Sequence, residues 1–76
     1  MAGEIREDLL NSLEDLKAEI NEINEDIELL LFRSKHTQDL NELKAIQKQL
    51  KQLEVDLKED HAEVKEILAK LNKISD

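Results

Sequence analysis

Two tracts of leucine and isoleucine recur along the chain at alternating spacings of four and three residues. The first runs Leu9, Leu13, Leu16, Ile20, Ile23, Ile27, Leu30. The second runs Leu43, Ile46, Leu50, Leu53, Leu57 and, after a polar Asp60, continues through Val64, Ile67, Leu71 and Ile74. Such spacing keeps a stripe on one side of an α-helix, where a strand would need alternation at every second residue. The stripe is narrow, about two apolar positions per heptad, which suits a two-stranded seam better than the broad face of a globular bundle. Two long helices of coiled-coil type are therefore predicted, and these sixteen residues form the candidate interaction seam.

The two tracts do not share a phase. Between them lies Arg33-Ser34-Lys35-His36-Thr37-Gln38-Asp39, without one apolar side chain. Either the chain turns here, or one continuous helix passes through with a slip of phase. Carrying the first stripe forward would put Ser34, Thr37 and Asn41 on it. Charge placement favours a turn. Arg33, Lys35 and His36 suit the negative end of a first helix, while Asp39 and Glu42 suit the start of a second and imitate a capping box. Ser34 and Thr37 are further cap candidates. The expected fold is all-α, a single domain over residues 1–76. It comprises a helix from roughly 4 to 33, a turn from roughly 34 to 38 and a helix from roughly 38 to 75, packed as an antiparallel hairpin. The alternative is one continuous coiled-coil helix.

Charge asymmetry also argues for antiparallel packing. Glu4, Glu7, Asp8, Glu14, Asp15, Glu19, Glu22, Glu25, Asp26 and Glu28 crowd residues 1–32 against Arg6 and Lys17. A turn near residue 35 would set Lys44 beside Asp26, Lys48 beside Glu22 and Lys51 beside Glu19. Flanking pairs of this kind select orientation while adding only about 0–1 kcal/mol each. The unequal helix lengths would leave Ile67, Leu68, Leu71 and Ile74 overhanging without an intramolecular partner. Near the turn, Leu29, Leu31, Phe32 and Leu40 widen the apolar surface and suggest a second contact.

Composition narrows the function. The 76 residues include no cysteine, proline, tryptophan or tyrosine, and Phe32 is the single aromatic. A chain this short and this poor in large side chains must gain stability from helices in register, from oligomerisation or from a partner. The net charge of -8 opposes binding to nucleic acid or to anionic lipid. Leu29-Leu30-Leu31-Phe32 is the longest apolar run, far short of a membrane span, and the first residues lack the pattern of a signal peptide. An intracellular, cytoplasmic protein is expected.

Candidate chemistry is sparse. His36 and His61 have no ligand partner one helical turn away, so no metal site is expected. With no cysteine nucleophile, glycine-rich phosphate loop or aromatic pocket, no enzyme, cofactor or small-molecule substrate is expected either. Asp60 falls on the seam itself, where one polar residue can fix register at a cost in stability. The competing reading rotates the helix so that its carboxylate reaches water. Thr37-Gln38-Asp39-Leu40-Asn41 loosely resembles the Ser-Gln-Glu-Leu-Asp motif of small helical-hairpin aspartyl-phosphate phosphatases. Two of five positions are identical, Asn41 replaces the terminal aspartate and the second helix is much longer, so this resemblance is not adopted. The expected function is non-enzymatic: a structural, protein-binding coiled-coil module for oligomerisation or scaffolding, recognising helices of a partner or of a second copy as a homodimer. The alternative is a small acidic regulator that inhibits a basic enzyme or a nucleic-acid-binding protein.

Overall fold

The computed structural model describes residues 2–74. It is a hairpin of two helices, α1 (Ala2–His36) and α2 (Leu40–Ile74), packed against each other. Each has 35 residues, a length of about 52 Å at 1.5 Å per residue. The molecule measures 57 × 15 × 13 Å, the dimensions of two helices lying side by side. No helix among the described residues is long and apolar enough to cross a membrane.

The break falls later than the sequence suggests. α1 continues through Ser34 to His36, and Thr37 N–H still donates to the Arg33 carbonyl at 3.0 Å. Ser34 is not a cap, because its Oγ donates to the Leu31 carbonyl at 2.7 Å inside the helix. Asp39 is the residue that caps α2. Its Oδ1 accepts the Asn41 N–H at 2.9 Å, and its carbonyl accepts the first helical bond from Leu43 N–H at 3.0 Å.

A relay through Thr37 takes the place of the expected capping box. Glu42 does not bond the Asp39 N–H; its Oε2 accepts the Thr37 hydroxyl at 2.8 Å, and Thr37 Oγ1 accepts the Asp39 N–H at 3.3 Å. This relay holds the turn closed. No described residue has a positive φ, so the connection needs no glycine. Arg33, Lys35 and His36 end α1, and Glu42 lies in the first turn of α2, as the helix dipoles favour. The His36 ring also lies against Phe32, with centroids 4.3 Å apart. Asp39→Ala removes the acceptor for the Asn41 N–H and is expected to cost about 1 kcal/mol, while Asp39→Asn costs little. Thermal melts followed by circular dichroism measure both; equal melting temperatures for wild type and Asp39→Ala would show that water replaces the cap.

A later turn between helices of equal length removes the expected overhang. Ile67 is buried, Leu71 and Ile74 are half-buried, and only Leu68 of that group is exposed. The register between the helices changes with it. Ser12, Asp15 and Leu16 line one surface depression with Glu63, Glu66 and Ile67, so facing positions have numbers adding to about 80 rather than about 70.

Candidate interaction surface

Every one of the sixteen seam positions is buried or half-buried. Leu16, Ile23, Leu30, Ile46 and Ile67 form the enclosed part. Leu9, Leu13, Ile20, Ile27, Leu43, Leu50, Leu53, Leu57, Val64, Leu71 and Ile74 are half-buried, as are Ser34 and Thr37, which prolong the α1 stripe to the turn. Asn41 is exposed because the break has already occurred. No described side chain falls below 2 % exposure. Two helices touch along one line, so the seam stays open along both flanks.

The residues bordering one flank fall in two neighbouring heptad columns on each helix. On α1 these are Ser12, Asp15, Glu19, Glu22, Asp26 and Arg33; on α2 they are Gln49, Gln52, Asp56, Glu63, Glu66 and Lys70. Near the turn, Asp26 and Arg33 stand across from Gln49 and Gln52 over a floor of Leu30 and Leu53. Toward the other end, Asp15 stands across from Glu63 and Glu66 over Leu16 and Ile67, with Lys70 beside them. The middle of this groove is acidic on both edges.

Electrostatics register that crowding. The exposed Glu19 carboxyl is held above its ordinary range, first by the charge of Asp60, then by partial burial and by Glu63, Asp56 and Glu22. The anticipated partner of Glu19, Lys51, is not among these neighbours. Lys51 instead groups with Lys44, Lys48 and Glu54 on α2's own surface. The pairing of Lys44, Lys48 and Lys51 with Asp26, Glu22 and Glu19 rested on a turn near residue 35. The turn at 37–39 moves those partners apart and brings acid opposite acid.

This sets the sign of one pH effect. A carboxyl whose affinity for protons rises on folding binds more protons in the native than in the unfolded state between the two pKa values. Stability therefore increases as pH falls through the raised Glu19 value, and the gain is complete below the ordinary one. The melting temperature is expected to rise as pH falls toward the ordinary carboxylate value, and Glu19→Gln should reduce that rise. A melting temperature falling steadily from pH 7 to pH 5 in both proteins would contradict the assignment.

Asp60 sits inside the seam at 8 % exposure, and its Oδ2 is buried with no hydrogen-bond partner. The helix does not rotate to release this oxygen to water. Sequence spacing located the residue; it could not show that the facing edge, at Glu19, is also acidic. The register that brings the two acids together follows from α1 running on past the polar Ser34 to His36.

The other polar candidates stay outside the seam. Thr37 and Asp39 build the turn, and Gln38 is exposed within it. His36 packs on Phe32, while His61 borders a shallow surface depression with Lys58, Glu54 and Val55. Among the described residues no group of three histidine or acidic side chains is placed to hold a metal ion. Comparison with protein-family models, with curated proteins and with solved structures finds no match for this chain.

Proposed function

We propose that this chain is a non-enzymatic, structural protein-binding module: a helical hairpin that recognises further helices along the open flanks of its leucine and isoleucine seam. Oligomerisation with a second copy, as a homodimer, and scaffolding of a helical partner are both uses of that one property. The observation that carries the reading is the incomplete burial of the seam. Eleven of its sixteen residues remain half-buried after the hairpin has closed. A further helix laid along a flank removes that remaining apolar surface from water, at about 25 cal/mol per Å². Leu29, Leu31, Phe32 and Leu40, all exposed at the turn end, extend the apolar surface available to it.

Sedimentation equilibrium and thermal melts over a hundredfold range of concentration, alone and with added amphipathic helical peptides, test this. A mass above 8.8 kDa with a melting temperature that climbs with concentration supports recognition of a second copy. A stability gain only with added peptide supports recognition of a partner. A monomer whose melt is unmoved by concentration and by every peptide overturns the proposal. The second reading, an acidic regulator that occupies a basic protein, is favoured by the acid-lined flank and is the same recognition directed at a cationic helix.

A further inference from the structure

We infer that the acidic flank of the hairpin receives a basic amphipathic helix from another protein, with one cationic side chain turned onto Asp60. This rests on the helix-recognition reading above and names the partner's chemistry. Three observations converge on the same stretch of groove. Asp60 is more than nine-tenths buried and its Oδ2 accepts from no donor, a state that buried polar atoms seldom hold. Glu19, which faces Asp60 from α1, stands among further acids: Glu22 on the same helix, Asp56 and Glu63 on α2. The floor on either side is apolar, Leu16 and Ile67 toward one end, Leu30 and Leu53 toward the other.

An apolar floor between acidic edges is the complement of a helix with a leucine-type stripe between flanking lysines and arginines. The chain's own charges leave this need unmet in the middle of the groove. The Asp56 carboxylate accepts from the neutral Gln52 amide at 3.2 Å, and the two cations bordering the groove, Arg33 and Lys70, stand toward its ends. A second copy is a poor occupant of this flank, since each chain brings a net charge of -8. Arginine suits the Asp60 position best, because its guanidinium carries several donors on a long apolar stem. A partner cation there offsets the Asp60 charge and relieves the mutual repulsion of the carboxylates around Glu19.

The test uses the full chain and two labelled peptides of about four heptads with one leucine pattern, flanked in one by lysine and arginine and in the other by glutamate. Binding is followed by fluorescence anisotropy near 0.15 M salt. The basic peptide is expected to bind, and Asp60→Asn or the triple variant Glu19→Gln, Asp56→Asn, Glu63→Gln to weaken it by about tenfold or more. The variant Glu14→Gln, Glu25→Gln, Glu28→Gln removes equal charge from the outer face of α1 and should change binding by less than about twofold. Circular dichroism confirms that each variant remains helical. Equal weakening by both triple variants would show attraction to net charge alone and overturn the site. Tight binding of the acidic peptide would overturn the groove's preference for a basic helix while leaving helix recognition standing. Failure of both peptides to bind a monomeric chain would overturn both.

Discussion

Asp60→Leu is expected to raise the melting temperature at neutral pH by about 10–20 °C, from about 2–3 kcal/mol of added stability. Two effects act in the same direction. The first is the removal of a carboxylate whose Oδ2 is buried without a donor, a state that costs about 1–3 kcal/mol or more for a charged group. The second is apolar continuity: leucine at this position joins Leu57 to Val64 and completes the α2 stripe. Relief of Glu19 follows, since Asp60 is the largest cause of its raised proton affinity. The acid-induced gain in stability should accordingly shrink in the variant. Asp60→Asn should give a smaller rise, because it discharges the site but leaves a polar group in the seam. An unchanged melting temperature in the leucine variant would mean that water already reaches the carboxylate. A residue that costs stability in the isolated hairpin and aids partner binding is the kind of trade that selection for function retains.

The seam was legible in the sequence because its spacing is independent of where the chain turns. Leu16, Ile23, Leu30, Ile46 and Ile67 lie on their stripes whatever the register, and all are buried. The turn was harder to place because Ser34 and Thr37 continue the α1 stripe with polar side chains, so the apolar pattern ends before the helix does. Three further residues in α1 then changed every cross-helix pairing. The lysines expected to neutralise the α1 acids stand elsewhere, and the antiparallel arrangement holds although the ion pairs invoked for it are absent from Glu19's surroundings. What decides the fold is the closure of two apolar stripes and a capped turn; exposed ion pairs are too weak to do so. The acidic flank was illegible for the same reason. Asp15, Glu19, Asp56 and Glu63 are ordinary solvated heptad residues in sequence, and become a surface feature only when the register sets them face to face.

Ile46→Ala is expected to be the most damaging single truncation, costing about 2–4 kcal/mol. Ile46 is the most enclosed side chain described, at 4 % exposure, and it lies one turn beyond Leu43, where the α2 stripe begins. Removing its outer carbons leaves a void that a two-helix seam can close only by drawing the helices together near a turn already fixed by Thr37, Asp39 and Glu42. A hairpin of this size has a total stability at or below the ordinary range of about 5–15 kcal/mol, so the loss should leave a sizeable unfolded fraction at room temperature. Urea unfolding should show a lower midpoint with an unchanged slope. Leu40→Ala and Phe32→Ala supply the contrast. At 73 % and 62 % exposure these residues contribute little to the isolated hairpin, and each truncation should cost under about 0.5 kcal/mol. If Phe32→Ala destabilises the chain as much as Ile46→Ala does, the turn end is packed against a second copy in solution. The hairpin would then be half of a larger core. If Ile46→Ala alone is costly, the seam stabilises the monomer and the turn-end surface is left for another protein to cover.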